Sequence, residues 1–281
     1  MTDKFDCIVI GAGGFGSGTL YHLARRGCRV LGIEQFGVAH DRGSSHGQTR
    51  IIRQAYFEHP DYVPLLVRAY ELWRDLEQES GQPLMHLCGL MLAGPPDGEA
   101  IPGAKLAAHR HGIAIEDVAP GERLRRFPGF RIPAGFEVLY EPNAGYLQVE
   151  TCVRAHVEQA AARGAVLKTG ESVVAWQSDG RSVTVRTDRD EYHGGRLVIA
   201  AGAWTGTLCR LPVPLRVVRK PQFWHEVTSA DYNASAGAPA YYFELPTGRV
   251  SDPDARSVRV TSPHAAFYGF PALDGRCVKV A

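Results

Sequence analysis

No run of apolar residues in this 281-residue chain approaches the ~20 needed to cross a bilayer, so a membrane-spanning protein is not expected. Met1-Thr2-Asp3-Lys4-Phe5-Asp6 leads straight into the apolar Cys7-Ile8-Val9-Ile10. The basic start, longer apolar stretch and small-residue cleavage site of a secretory leader are absent. Charge of one sign is also lacking: Lys and Arg total 31 against 30 Asp and Glu, a formal charge of +1. That balance argues against a nucleic-acid binder, which carries a basic excess or stripe. The six cysteines, Cys7, Cys28, Cys88, Cys152, Cys209 and Cys277, form no C-x-x-C pair and have no histidine at metal-ligand spacing. Inert thiols, no disulfide framework and no metal are expected, in a cytoplasmic protein. There is no internal repeat and no low-complexity tract.

What is present is enough length for one large or two smaller domains. Residues 5–34 read as strand, Gly-rich turn, helix and strand. The continuous apolar run at 7–10 suits a strand covered on both faces. Residues 14–26 read as a helix ended by Gly27, and 29–33 as the second strand. Residues 60–78 carry a helical stripe of Leu65, Ala69, Leu72 and Leu76, widened by Leu66, Tyr70 and Trp73. Residues 81–140 are rich in Gly and Pro, and a second, smaller unit is expected to begin there. A helix is expected over 149–163, stopping at Gly164. A β-meander follows over 165–168, 172–177 and 182–187, then an apolar strand over 196–200. From Pro212 the pattern is strand-like and irregular, with a polar surface loop at 251–256. The chain ends in what reads as a strand.

Gly11-Ala12-Gly13-Gly14-Phe15-Gly16 matches G-x-G-x-x-G between a strand and a helix. Gly11 allows the tight turn, Gly13 lets backbone approach a pyrophosphate, and Gly16 permits close helix–strand packing. The helix N-terminus offers free N–H groups and a positive dipole end to phosphates. Glu34, at the end of the second strand, suits a ribose hydroxyl and would repel a 2′-phosphate, which argues against NADP. The motif by itself suits either FAD or NAD.

Downstream lies Gly43-Ser44-Ser45-His46-Gly47-Gln48-Thr49-Arg50-Ile51-Ile52-Arg53. With the glycine turn, this resembles the monomeric sarcosine oxidase and N-methyltryptophan oxidase family of flavoproteins, in which a G-S-x-H-G-x-T-R-x-x-R stretch runs beside the flavin ring. Further matches are Tyr62-Val63-Pro64-Leu65 with Glu71-Leu72-Trp73, Glu141-Pro142-Asn143-Ala144-Gly145, the 197–204 segment ending Gly202-Ala203-Trp204, and Tyr268-Gly269-Phe270-Pro271 before Gly275 and Lys279. The resemblance covers essentially the whole chain, and its histidine–arginine segment is the most specific part.

The resemblance implies an α/β fold with an α+β second part: a Rossmann-like FAD-binding domain (1–86 and 141–215) interleaved with an antiparallel-sheet substrate domain (87–140 and 216–281). It implies that His46 and Arg50 lie against the flavin and that Arg53 binds the substrate carboxylate, a role suited to guanidinium's planar fork. Tyr268 would line the substrate pocket, and Lys279 would promote reaction with O2. The FAD contacts would extend from Gly11, Gly13, Gly16 and Glu34 to Gly14, Phe15, Gln35, Ser44, Ser45, Val173, Gly202 and Trp204. The implied reaction oxidises the C–N bond of a secondary amino acid, namely sarcosine, another N-methyl amino acid or a cyclic imino acid, and yields hydrogen peroxide.

The residues taken alone leave blander readings open: 43–53 as a solvated loop, Tyr268 as core, Lys279 as a frayed end, and 201–203 as a plain strand-to-loop turn. Relative to the family the chain is expected to be C-terminally incomplete. The family's further segment carries the cysteine that holds flavin covalently, a lysine paired with the substrate-binding arginine, and a Gly-rich segment with a helix over the flavin's pyrimidine end. An insertion is expected near 250–266. An NAD-dependent dehydrogenase and a catalytically incomplete FAD- or ADP-binding fragment are the alternative functions. Oligomeric state is not legible.

Overall fold

The computed structural model describes residues 4–210, 212–246, 248–250, 258–260 and 265–281. The chain divides into two compact units: Met1–Thr49, Arg74–Leu84 and Gln148–Arg219 in the first, and Arg50–Trp73, Met85–Leu147 and Lys220–Ala281 in the second. Residues 50–73 thus group with the second unit, whereas the sequence reading assigns them to the first.

The first unit is built on a four-stranded parallel sheet in the order Val166–Thr169, Val30–Glu34, Cys7–Ile10, Leu197–Ile199. Both central strands are buried along their whole length, apolar throughout except for Glu34 at the end of the second. Helix Gly14–Arg25 joins them, burying Leu20, Tyr21 and Ala24 and packing along helix Val149–Ala161. Gly27 takes φ 81° just past its end. A second sheet, ordered Lys4–Phe5, Glu191–Gly194, Val183–Thr187, Val173–Ser178, adds Val183 and Val185 to a core with Ile8, Ile10, Leu31 and Ile33. Each such aliphatic side chain contributes roughly 1.5–3 kcal/mol when fully buried.

One strand goes elsewhere than expected. Residues 165–168 were expected to open the meander, but Val166–Thr169 pairs in parallel with Val30–Glu34. The reason lies at Gly32, which has no side chain: a Cβ there would meet Leu167 Cδ1 at 2.7 Å and Leu20 Cδ1 at 2.8 Å. The two leucines fill that space from opposite elements. The meander is instead completed by Glu191–Gly194, too short and polar to be anticipated. Its entry turn is held by Thr187, whose hydroxyl accepts from the N–H groups of Arg189 (3.1 Å) and Asp190 (2.9 Å).

The second unit centres on a seven-stranded sheet, ordered Phe223–Glu226, Cys277–Val280, Ala265–Phe270, Ala240–Leu245, Leu90–Gly94, Glu137–Glu141, Glu116–Asp117. Its pairings are antiparallel except that of Ala240–Leu245 with Leu90–Gly94. The two-residue period of a strand sorts its side chains cleanly. Met91, Ala93, Val138, Tyr241 and Phe243 enter one core, while Leu92 and Leu139 enter another with Ala55, Phe57, Ile101 and Ala104. The latter core is closed by helix Ala100–His111, inside the stretch whose Gly and Pro content hid it. Pro102 falls in the helix's first turn, where proline is tolerated, and Gly103 is required by proximity, since a Cβ there would lie 2.2 Å from the Phe57 carbonyl oxygen. The helix expected over 60–78 starts as a 3-10 turn, Pro60–Tyr62, and runs as Val63–Ser80. Strand Gly248–Val250, which ends where the expected insertion begins, pairs with Val258–Val260 inside it, and the loop expected at 251–256 lies outside the described residues. Among the described residues no helix is long and apolar enough to cross a membrane.

The interface between helices Gly14–Arg25 and Val149–Ala161 holds a buried imidazole. His156 lies 5.5 Å from the Tyr21 ring and 6.3 Å from that of His22. Burial, reinforced by His22, pushes it down from 6.5 to about 4. The folded chain therefore keeps His156 neutral where the unfolded chain takes up a proton. This makes no difference above pH 6.5. Below it, stability falls as pH drops, by about 3 kcal/mol on reaching pH 4. Denaturant unfolding at pH 7 and pH 4.5 checks this: His156→Phe should show a shallower loss than the parent, and parallel losses would reject the assignment.

Candidate functional site

Strand Cys7–Ile10 ends at Gly11, which adopts φ 91° and donates its N–H to the Ile33 carbonyl at 2.8 Å. A Cβ at Gly11 would stand 2.5 Å from the Ala200 carbonyl oxygen, and one at Gly16 would stand 1.8 Å from that of Gly11. These two glycines are demanded by the protein's own packing. Gly13 is different: the nearest atom to a Cβ there is Ser45 Oγ, at an ordinary 3.7 Å. The protein leaves room for a methyl group at Gly13, so its own packing does not demand glycine there; close backbone approach of a pyrophosphate is a reason for glycine at such a position.

Helix Gly14–Arg25 begins with no side-chain cap at Gly13 and no acidic residue in its first turn. Its positive dipole end is therefore not neutralised locally, as an anion site requires. Ser45 Oγ accepts the Gly14 N–H at 2.9 Å and ties the 43–47 segment to this helix start. At the next strand's end, Glu34 is buried; its carboxylate accepts from Ala12 N–H (2.8 Å) and Phe36 N–H (3.0 Å), with His40 Nε2 at 3.5 Å. An ionised carboxylate has about four acceptor positions, so Glu34 is oriented by the turn and still able to receive hydroxyls.

These groups open onto a cavity of about 610 Å³, within the usual size of a cofactor pocket. Gly11, Gly13, Gly14, Phe15, Glu34, Gln35, Ser44, Ser45, Val173, Gly202 and Trp204 all line it. Gly16 shapes the turn beneath. The sequence reading did not include His40, Glu171 and Ala200, which also line the cavity; nothing in the local sequence of Glu171 marks it. His46 belongs to the same unit but is not part of this lining. Its loop is pinned by Glu150, which accepts from Gly47 N–H at 2.6 Å and Gln48 N–H at 3.1 Å.

Arg50, Arg53, Tyr268 and Lys279 belong to the second unit. Arg50 is half-buried in strand Thr49–Ile52. The Arg53 guanidinium sits 4.4 Å from the Tyr56 ring centre and 4.0 Å from that of Phe57. Its Nη2 binds the Glu58 carboxylate at 2.6 and 2.8 Å, while Nη1 is buried with no hydrogen-bond partner. Glu141, missed as a contributor, shapes this corner: it accepts from Gln54 N–H (2.6 Å) and Ala55 N–H (3.1 Å) directly after Arg53. Burial raises its carboxyl above the usual range, against the pull of those two N–H groups and of Arg53. Its place at the end of strand Glu137–Glu141, where burial is decided by the assembled fold, gave no local signal of this role.

Tyr268 is half-buried on strand Ala265–Phe270, edge-on to Phe270 at 6.0 Å. Lys279 is not frayed. Its strand, Cys277–Val280, pairs on both sides, and the residue is 3% exposed, with Nζ 4.9 Å from the Phe270 ring centre and 5.8 Å from that of Trp224.

The FAD dependent oxidoreductase family profile matches residues 6–278. The chain belongs to that family. This FAD dependent oxidoreductase is 39% identical over 98% of its length to monomeric sarcosine oxidase from Streptomyces avermitilis, of which it covers 68%. It is 31% identical over 95% of its length to N-methyl-L-tryptophan oxidase from Yersinia pestis, covering 67% of that protein. Among solved structures it resembles NikD, an amino acid oxidase essential for nikkomycin biosynthesis, in its open form, with 27% identity, a TM-score of 0.77 and coverage of 100% of this chain and 70% of NikD. FAD is thus the cofactor, which sets the NAD-dependent alternative aside. The uncapped helix start, open Gly13 and oriented Glu34 fit its ADP half.

The two kinds of glycine separate experimentally. Gly16→Ala should lower the melting temperature sharply or prevent folding. Gly13→Ala should melt within a few degrees of the parent yet bind FAD at least about tenfold more weakly, read by flavin fluorescence titration. Equal FAD affinity in Gly13→Ala would show that the pyrophosphate does not lie on this turn.

Proposed function

We propose that this oxidoreductase oxidises the C–N bond of a secondary amino acid, such as sarcosine, another N-methyl amino acid or a cyclic imino acid. A hydride equivalent leaves the carbon next to nitrogen, the resulting imine is hydrolysed by water, and the electrons end on O2 as hydrogen peroxide. FAD, when bound, supplies the two-electron acceptor. The first unit serves as its binding part and the second as the substrate part. No nucleic acid takes part. The six cysteines, all free and none fully exposed, suit a cytoplasmic setting.

The observation that carries the substrate class is Arg53 Nη1, a buried cationic N–H group left without a partner. Burying such a group unpaired is costly, and a substrate carboxylate relieves that cost. Glu58 fixes the other guanidinium nitrogen, and the Tyr56 and Phe57 rings keep water from the plane. Arg53 is therefore pre-oriented, which a flexible lysine would not be. Tyr268 lines the substrate side. His46 and Arg50 lie against the flavin. Lys279, a buried ammonium between aromatic rings, stabilises negative charge developing on O2.

The purified chain should show a flavin absorption spectrum, release the flavin on denaturation, and yield peroxide with N-methyl or cyclic imino acids. Bound flavin without turnover on any of these would favour the catalytically incomplete reading. Arg53→Lys should raise KM for the amino acid roughly 100-fold, the scale of a lost buried charge-assisted hydrogen bond, with flavin content unchanged. Lys279→Met should slow reoxidation by O2 at least about tenfold while leaving anaerobic flavin reduction intact; an unchanged oxygen rate would remove Lys279 from the mechanism.

A further inference from the structure

The cavity wall holds a second buried carboxylate with no assigned role. Glu171 is 4% exposed and lies two residues past strand Val166–Thr169. Its N–H donates to the Glu34 carbonyl at 3.1 Å. Its Oε1 accepts from Thr187 Oγ1 at 2.6 Å and from Tyr192 Oη at 2.8 Å. Burial, and then the bond to Glu171, pushes the Tyr192 phenol up to about 12, so it stays a donor. Two fixed donors on Oε1 orient the carboxylate. Oε2 accepts from no described residue, and Glu171 lines the cavity. A carboxylate with an unused oxygen on a cavity wall has acceptor capacity that a ligand entering the cavity can meet.

The strand order says which part of a dinucleotide meets it. The phosphate turn follows strand Cys7–Ile10, the ribose acid Glu34 ends its neighbour Val30–Glu34, and Glu171 follows the next neighbour, Val166–Thr169. Adjacent strands step by roughly 4.8 Å, so phosphate, ribose and base fall on successive strand ends. We propose that Glu171 recognises the exocyclic 6-amino group of the cofactor's adenine, accepting its N–H on Oε2, and so selects adenine over 6-oxo purines. The proposal rests on the FAD reading above. A 6-oxo purine would set a carbonyl oxygen against the carboxylate, and such a repulsive pairing makes a recognition element selective.

Apoprotein is titrated with FAD and with flavin hypoxanthine dinucleotide, the 6-oxo analogue, and binding is followed by flavin fluorescence. The parent chain should bind FAD at least about tenfold more tightly than the analogue. Glu171→Gln, whose amide can turn an N–H toward a 6-oxo group, should narrow or invert that ratio. A merely structural role would weaken both ligands alike and leave the ratio unchanged, which would overturn the proposal. So would equal binding of the two dinucleotides by the parent chain, a comparison that needs no variant to fold and leaves FAD binding itself standing. Binding of neither would overturn the FAD reading and this proposal together.

Discussion

The backbone of residue 16 lies so close to the carbonyl of residue 11 that a single methyl group has no room between them, and residue 11 in turn presses on the carbonyl of Ala200. Three segments, the strand–helix turn, the helix itself and the end of the outer strand Leu197–Ile199, are held against one another by the absence of side chains at two positions. With this approach in place, the start of helix Gly14–Arg25 lines the cavity, Ala12 N–H reaches Glu34, and Ser45 reaches the Gly14 N–H. The nucleotide-binding features of the first unit depend on this contact between backbones.

A second theme is how charges are kept inside. Glu34, Glu141, Glu171 and Lys279 are all buried. Three of the four are carboxylates, and each is anchored through N–H or O–H donors from segments distant in sequence: Ala12 for Glu34, Gln54 and Ala55 for Glu141, Thr187 and Tyr192 for Glu171. A buried carboxylate needs hydrogen-bond donors to offset its lost hydration, so each doubles as a clamp between distant stretches of chain. Lys279 differs in having the faces of Phe270 and Trp224 nearby, an environment that favours a cation.

The glycine turn, its flanking strands and helix, and the acid that follows were readable directly, because they depend on short-range spacing and on glycine's freedom at Gly11. The residues expected at the cofactor's ADP half line one cavity or shape its turn. Helix Ala100–His111 was not readable, because its buried face is made of small residues and its first turn contains proline and glycine. The placement of Val166–Thr169 was not readable either, since a short apolar strand carries no mark of which neighbour it will choose. Gly32 decides that choice by making room for Leu167, and only the packed sheet reveals it.

Local pattern by itself determined the dinucleotide-binding unit, the helices with wide apolar stripes, and, through the histidine–arginine segment, the flavoprotein family to which the chain belongs. Those features are set within a few turns of backbone, where hydrogen-bond geometry and side-chain period are nearly context-free. Tertiary structure alone decided that Arg53 keeps a buried nitrogen unpaired, that Lys279 is enclosed between paired strands, and that Glu171 lines the cavity. Each of these depends on partners brought in from elsewhere in the chain, and burial and hydrogen-bond satisfaction are properties of the assembled fold that no local stretch of sequence encodes.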